Sequence, residues 1–190
     1  MPLLGTLLKN RRAGEGNLAW NLPALAGPVV LRLRSDGFQH DGDIPQVHAG
    51  KRAGGQNLSP ALAWTGVPEG TAQLLLIIED VDAPTRSPFV HGVALLEPDL
   101  DILPAGALNA GSSTPGVRVL RSGMGRGYLG PEPIKGHGPH RYVFQIFALS
   151  APITSTGGGT TPEAAKPRDV LAAVPGSVLA RGRLDGLFTR

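Results

Sequence analysis

Runs of consecutive apolar residues, each bounded by turn-forming residues, mark the most strongly predicted elements of this chain. One run covers residues 74–78, and another covers residues 89–96 with a single histidine inside it. The acidic segment Glu79 to Pro84 lies between them. Such short apolar runs are typical of buried β-strands. Residues 141–149, rich in aromatic and β-branched side chains, also favour a strand. We therefore predict three buried strands around which the remaining chain is organised.

Weaker patterns predict shorter elements. Residues 29–34 alternate, with Leu31 and Leu33 on one side and Arg32 and Arg34 on the other, which is typical of a half-exposed strand. We further predict short strands at 61–64 and 117–120 and a last strand at 177–184. Two helices are predicted, one at 167–174 and a terminal one with Leu3, Leu4, Leu7 and Leu8 on one face. Turns are predicted at 35–37 and 41–43, and loops at 44–60, 97–116 and 150–161.

The number and type of these elements indicate a mainly β fold with few short helices. A chain of 190 residues fits one domain. We predict an N-terminal extension at residues 1–28 and a single domain at residues 29–190. The Leu/Arg-rich start of the extension is typical of a terminal helix covering a core, and contact with a membrane surface or a second subunit, forming a homodimer, remains an alternative.

Composition excludes several classes of site. The chain contains no cysteine, which removes disulfides, thiolate nucleophiles and zinc–thiolate sites and fits a reducing compartment. No apolar run reaches the roughly 18 residues of a membrane-spanning helix. The first apolar residues are few, and their basic residues follow them, unlike a secretory signal. We therefore expect a cytoplasmic protein without a transmembrane segment.

A glycine motif at Gly125–Gly130 matches G-x-G-x-x-G, the pattern of dinucleotide-binding folds. That function requires a helix to begin within the motif, but the segment Pro131–Pro133 follows and prevents one. A glycine-rich loop whose backbone amides face an anion is the better interpretation. Nucleic-acid binding is not expected, because aromatic residues are only 5% of the chain and no recognised signature is present.

Five titratable residues form the remaining candidate constellation: Asp80, Asp82, His91, His137 and His140. Each alone is compatible with a hydrogen-bonded turn, an ion pair or a satisfied core histidine. Together they offer groups that orient an anionic or phosphorylated head group, or that perform acid–base chemistry near neutral pH. Their spacing matches no compact metal-ligand motif. We expect no metal and no cofactor.

Several motifs, in order, resemble those of the phosphatidylethanolamine-binding protein family, which includes the Raf kinase inhibitor protein and its bacterial relatives. The resemblance extends from about residue 44 to residue 190. It is carried by Asn57-Leu58-Ser59-Pro60-Ala61-Leu62-Ala63-Trp64 with Val67-Pro68-Glu69-Gly70, by Asp80-Val81-Asp82-Ala83-Pro84 followed by His91, and by Gly127-Tyr128-Leu129-Gly130-Pro131 with His140-Arg141-Tyr142.

This resemblance implies a large central antiparallel sheet packed on a smaller one, with a small anion-binding pocket at one end of the large sheet. Protonated His91 and His140, with backbone amides around Gly130, would hold the anion. Asp80 would orient an imidazole or accept a cationic amine of the ligand. The residues that the resemblance places in or beside the pocket are Asp80, His91, His140, Tyr128, Gly130 and Pro131, with Asp82 at the edge fixing the turn.

Three departures from the family pattern bear on ligand choice. Val81 replaces a proline, which predicts a less rigid loop with an additional backbone N–H. Glu132 replaces a proline and adds negative charge near the pocket. Phe188 lies where relatives often carry a tyrosine, so one hydroxyl is lost. These departures leave the pocket in place but bring a preference for phosphate into question.

The leading hypothesis is a protein that binds a small anionic or phosphorylated ligand, such as a phospholipid head group, and modulates a partner. A kinase or protease as partner follows from family analogy alone. The alternative is an enzyme in which Asp80 with His91 or His140 forms an acid–base pair acting on a small carbonyl or ester substrate. No activated nucleophile is evident, so no catalytic residue is assigned.

Overall fold

The computed structural model describes residues 3–190, in which two β-sheets are accompanied by two short α-helices. Met1 and Pro2, the first residues of the predicted extension, lie outside the described residues. The mainly β fold is confirmed. Its elements are α1 (Leu3–Leu8), β1 (Arg32–Arg34), β2 (Gly42–Asp43), β3 (Leu62–Thr65), β4 (Gln73–Asp80), β5 (Phe89–Leu96), β6 (Ile102–Leu103), β7 (Val117–Val119), β8 (His140–Leu149), α2 (Pro167–Ala172) and β9 (Val178–Phe188).

The large sheet has six strands in the order β2-β9-β8-β4-β5-β7, and the small sheet has three in the order β1-β3-β6. All pairings are antiparallel except that of β2 with β9. Strand β4 lies between β5 and β8 and is buried along its whole length. Both of its faces are covered, which explains why its sequence is a continuous apolar run.

The two faces of the large sheet belong to different parts of the core. Leu76 and Ile78 share one cluster with Trp64 of the small sheet. Leu75 and Ile77 point the other way and pack with Leu25 and with Val170 and Leu171 of α2. Residues that precede β1, such as Leu18, Ala19 and Leu25, are fully buried. The domain boundary at residue 28 stays a prediction, although residues before it clearly contribute to the core.

Several predicted boundaries were wrong where strand pairing overrides local turn signals. Strand β9 does not end at Leu184 but continues to Phe188, because residues 185–188 pair with the start of β8. The predicted turn at 41–43 includes β2, which pairs with Gly186 and Leu187. Strand β6 forms inside the predicted loop 97–116 by pairing with β3. Among residues 3–190, no helix is long and apolar enough to cross a bilayer.

Candidate functional site

Strand ends bring the candidate residues together at one end of the large sheet. Asp80 is the last residue of β4, and His140 is the first residue of β8. The two strands are antiparallel neighbours, with Asp80 opposite Tyr142. Because side chains of a strand alternate between faces, His140 and Tyr142 point to the same face. The side chains of Asp80, His91 and His140 are all buried.

His91 reaches this cluster because of a β-bulge in β5. Ile78 pairs with Gly92 but Glu79 pairs with Val90, so His91 has no partner residue on β4. Without the bulge, alternation would place His91 on the side of Val93. Instead, the His91 ring meets the Tyr142 ring edge-on, with centroids 5.0 Å apart. The bulge therefore moves the histidine onto the face that Tyr142 occupies.

A chain of short hydrogen bonds links Asp80 to two histidines. Asp80 Oδ2 lies 2.7 Å from His140 Nδ1, and His140 Nε2 lies 2.7 Å from His137 Nδ1. At the outer end, His137 Nε2 lies 2.9 Å from the carbonyl oxygen of Leu8 and 3.2 Å from that of Arg11. His137 and His140 are each 2% exposed. The N-terminal segment therefore contacts the candidate site directly.

The hydrogen-bond chain requires three protons. A carbonyl oxygen only accepts, so His137 Nε2 must carry a hydrogen, and each of the two inner contacts needs one more. Two neutral imidazoles supply only two hydrogens. The third makes one ring an imidazolium beside the carboxylate of Asp80, or protonates Asp80 itself. In this arrangement His137, His140 and Asp80 together carry no net charge.

His91 is in a different electrostatic state. Burial lowers the pKa of His91, and the neighbouring Asp80 carboxylate opposes only part of that effect. Its Nδ1 donates to the Leu129 carbonyl oxygen at 2.6 Å, so in the neutral ring Nε2 bears a lone pair. The lowered pKa of His91 acts against the expected imidazolium, and a role of His91 in holding an anion stays a prediction. A neutral His91 can instead accept a hydrogen bond.

Tyr142 belongs to the cluster but was not among the predicted site residues. Its ring stacks on His140, with centroids 6.4 Å apart, and burial raises the pKa of its hydroxyl, with Asp80 adding to the rise. That hydroxyl is buried and meets the ordinary geometric criteria for a hydrogen bond with no described residue, although the Asp80 carboxylate is close enough to interact with it weakly. The signal was present in the motif His140-Arg141-Tyr142, because residues two apart on a strand share a face.

Asp82 lies at the edge of the cluster and stabilises the turn after β4. Its backbone N–H donates to Asp80 Oδ1 at 2.8 Å, and its Oδ2 accepts from the backbone N–H of Arg141 at 2.7 Å. Its Oδ1 pairs with Arg12 at 2.6 Å. Val81 donates its N–H to the Arg141 carbonyl and is buried against Leu18. The additional N–H expected at this position therefore extends the pairing of β4 with β8, and the expected loss of rigidity stays a prediction.

The loop that carries Tyr128, Gly130 and Pro131 is held by hydrogen bonds of both its side chains and its backbone. Tyr128 Oη donates to the His48 carbonyl at 3.0 Å, and burial raises the pKa of this phenol. The N–H of Gly130 donates to Asn57 Oδ1 at 2.7 Å, and the Pro131 carbonyl accepts from Gly50. The expected amide donors around Gly130 are therefore not free for an anion. These residues hold two loops together.

The two other departures from the family pattern also have structural partners. Glu132 Oε1 accepts the backbone N–H of Arg52 at 2.9 Å, and its charge acts weakly to raise the pKa of His91. Phe188 pairs with His140 across β8 and β9 and is buried. The site therefore has an apolar ring beside His140 and a carboxylate within electrostatic range.

Only one group within residues 3–190 places three potential metal ligands close together, with atoms within 4.8 Å of one another: His40, Asp41 and Asp185. Both carboxylates already pair with Arg141, and Asp185 also pairs with Arg183. His40 Nδ1 accepts the backbone N–H of Asp185. These carboxylates are neutralised by arginine, and the group lacks the free charge that a cation site needs.

Comparison with known proteins identifies the fold and its relatives. The UPF0098 protein of Aquifex aeolicus is 36% identical over 169 residues, covering 87% of this chain and 92% of that protein. A putative lipoprotein of Mycobacterium tuberculosis, LppC, is 31% identical over 160 residues, covering 83% of this chain and 72% of the relative.

Structural similarity supports the same grouping. The crystal structure of YbcL from Escherichia coli, described as a member of the mammalian PEBP family, superposes with a TM-score of 0.74 at 25% identity, covering 85% of this chain and 99% of YbcL. The sequence model of the phosphatidylethanolamine-binding protein family matches residues 34–189. This chain therefore belongs to the phosphatidylethanolamine-binding protein family.

Proposed function

We propose that the protein binds a small anion, such as a phosphomonoester head group or a small carboxylate, at the cluster of Asp80, His137, His140 and Tyr142. The observation that carries the proposal is the buried Tyr142 hydroxyl, which has no ordinary hydrogen-bond partner among the residues described. Leaving such a donor unpaired is unfavourable by roughly 1–3 kcal/mol. A ligand oxygen that accepts this hydrogen would recover that energy.

The histidine pair supplies the positive charge. When the third proton lies on a histidine, an imidazolium lies at the centre of the cluster, and charge-assisted hydrogen bonds to an anion are the stronger kind. Asp80 keeps His140 oriented through Nδ1, so that Nε2 faces away from the carboxylate. A head group that also carries an ammonium, such as phosphoethanolamine, gains a second contact because His91 Nε2 accepts.

The role beyond binding follows from the family alone. We infer that the protein works in the cytoplasm as a modulator of a partner, with a kinase or protease as the class suggested by analogy. The lipoprotein relative makes localisation the first point to test, by fractionation of cells that express the full chain. Catalysis by the Asp80–His140 pair is the alternative, and activity that survives Asp80→Asn and His140→Ala in a substrate screen would exclude this site.

Calorimetric titration tests ligand binding most directly. Acetate and sulfate are suitable probes, because the charge of each is constant from about pH 6 to about pH 8.5, so any pH dependence reports the protein. We expect affinity to weaken as pH rises, because an imidazole ordinarily loses its positive charge in this range and a neutral ring attracts an anion less. An affinity that is constant over this range would contradict the proposal.

Tyr142→Phe removes the proposed donor without removing the ring. We expect weaker binding of every probe by this variant, by about 5- to 10-fold for one lost hydrogen bond. Tyr128→Phe is the matched control, because its hydroxyl is committed to the His48 carbonyl. Equal losses in the two variants would show that the Tyr142 hydroxyl does not contact the ligand. Phosphate and phosphoethanolamine, compared at one pH, measure the contribution of the ammonium.

A further inference from the structure

The N-terminal segment lies across the candidate site. We define the strap as residues 3–12, which comprise α1 and the four residues that follow it. The carbonyl oxygens of Leu8 and Arg11 both accept from His137 Nε2, the outermost atom of the histidine chain. A ligand that uses this N–H, or that reaches His140 past His137, competes with these two carbonyl groups.

Close backbone packing holds the first half of the strap. Gly5 is the one buried residue of α1. A Cβ atom added there would lie 2.1 Å from the Lys135 carbonyl oxygen and 2.7 Å from the His137 nitrogen. Both are backbone atoms, which cannot rotate away as a side chain does. The loop that carries His137 therefore fits α1 only because residue 5 has no side chain.

An ion pair and backbone hydrogen bonds hold the second half. Arg12 Nη1 pairs with Asp82 Oδ1 at 2.6 Å and donates to the Pro139 carbonyl at 3.0 Å. The N–H groups of Ala13 and Gly14, which follow the strap, donate to carbonyls of the turn after β4. Since the chain is anchored again at the fully buried Leu18, release of the strap need not unfold the domain.

The apolar face of α1 adds little to the attachment of the strap. Leu3, Leu4 and Leu7 are 71%, 58% and 79% exposed, so this face is turned to solvent. The ion pair of Arg12 with Asp82 is partly exposed, and surface ion pairs contribute about 1 kcal/mol or less. The fit of Gly5 and the hydrogen bonds of His137 are the attachments that link the strap most directly to the site.

We propose that the strap is a releasable cover that excludes ligand from the site, so that strap docking and anion binding are mutually exclusive. This inference rests on the function proposed above and adds its regulation. The cover and an anion compete for the same His137 hydrogen, and the apparent affinity is the intrinsic affinity multiplied by the open fraction. Variants that open the strap should therefore bind the anion more tightly. The largest possible gain in affinity is one divided by the fraction of wild-type molecules whose strap is open.

Charged groups around the strap act on both states. The groups near the strap lie in the turn after β4, in β4 and in the loop before β8, and they differ in sign of charge. A pH change therefore alters both the docking of the strap and the binding of the ligand. For this reason the test uses one pH and compares variants. The groups concerned are Asp82, which pairs with Arg12, His137, which bonds the carbonyls of the strap, and His140 and Asp80, which follow in the hydrogen-bond chain.

Two variants of the full-length chain open the strap by different means. Gly5→Ala lifts α1 by steric conflict, and Arg12→Met removes the tether to Asp82. Their matched controls are Gly16→Ala, where an added Cβ has no atom within 4 Å, and Arg11→Met, whose backbone contacts are kept. Hydrogen exchange of the Arg11, Ala13 and Gly14 amides, followed by mass spectrometry, reports release, and titration with acetate reports binding.

We expect faster exchange and tighter acetate binding in Gly5→Ala and Arg12→Met, with both controls close to wild type. Acetate added to the wild-type protein should also accelerate exchange in the strap. Unchanged exchange in both opening variants would overturn the proposal, and so would faster exchange with unchanged affinity. If strap exchange accelerates in the variants but no protein binds any probe, the cover is supported and the anion-binding function fails.

Discussion

The buried carboxylate of Glu79 provides the strongest stability prediction. Glu79 is fully buried in β4, and three groups donate to it: the Ala19 N–H at 2.8 Å, Gln145 Nε2 at 2.9 Å and Arg168 Nη2 at 2.5 Å. Burial raises the pKa of Glu79, while Arg168 and Gln145 oppose that rise. Arg168→Met removes the only one of these three donors that carries a full charge.

The magnitude follows from how the pair is buried. Removing one partner of a buried ion pair is unfavourable by about 3–5 kcal/mol. Arg168 is 35% exposed and two neutral donors to Glu79 remain, so the lower part of this range applies. Arg168 also donates to the carbonyls of Asn17 and Pro88, together worth about 1 kcal/mol. We expect a total loss of about 4 kcal/mol, or about 8–16 °C in melting temperature.

Urea denaturation measures this loss, and pH adds a second test. Because the folded-state pKa of Glu79 is raised, its ionised form destabilises the fold at neutral pH, and protonation relieves that effect as pH falls. The deficit of Arg168→Met should therefore shrink as the pH is lowered from neutrality. Arg32→Met, at an exposed position of β1, is the control and should stay within about 0.5 kcal/mol of wild type.

A double-mutant cycle identifies the cause. In a Glu79→Gln background no buried charge is left behind, so Arg168→Met should lose only the two carbonyl bonds, about 1 kcal/mol. An equal loss in the two backgrounds would refute the reasoning, and would show that Arg168 acts through packing on the β-sheet. A deficit that grows as pH falls would also contradict it.

Three further predictions concern residues around the site and the sheet. Tyr142→Phe should unfold within about 1 kcal/mol of wild type in urea, because its hydroxyl makes no hydrogen bond of ordinary geometry; a larger loss would show that the contact with Asp80 is a strong hydrogen bond. Gly130→Ala should destabilise the fold by about 1–3 kcal/mol, measured by thermal melting, because the added Cβ would lie 2.4 Å from the His48 carbonyl oxygen. Burial acts to raise the pKa of Asp185, but hydrogen bonds from Arg183 and Arg141 outweigh it and lower that pKa. The stability contributed by Asp185 is therefore present above its unfolded pKa and lost as pH falls through its lower folded pKa. The stability deficit of Asp185→Asn should shrink below about pH 4 in acid titrations. A constant deficit would show that the ionised carboxylate does not stabilise the fold.

Much of the fold was predictable from the apolar pattern, because the longest strands bury both faces. Residues 74–78 and 141–149 lie within β4 and β8 for this reason. The two-residue strands β2 and β6 were not predictable, because each exists only through its partner strand. The end of β9 was missed since Asp185 and Gly186 signal a turn locally, while arginines of the folded sheet neutralise the carboxylate.

The site was predictable in part. Asp80 and His140 lie at strand ends, where sequence order and antiparallel pairing bring them together. The direction of His91 depends on a bulge whose position no local pattern indicates. His137 lies in a loop, and its two carbonyl partners are more than a hundred residues away in sequence. Such long-range contacts carry no periodic signal, so the strap over the site could not be inferred from the sequence.

The docking of the N-terminal segment onto late strands has a consequence for synthesis. Leu8 and Arg11 need His137, Ala19 needs Glu79, and Glu15 pairs with Arg183 near the end of the chain. Residues 8–19 thus leave the ribosome well before the partners that they need, and Leu18, which is fully buried in the folded chain, stays exposed meanwhile. Ribosome-bound chains that lack β9 should therefore be the species that chaperones capture, and incomplete chains should aggregate through this segment.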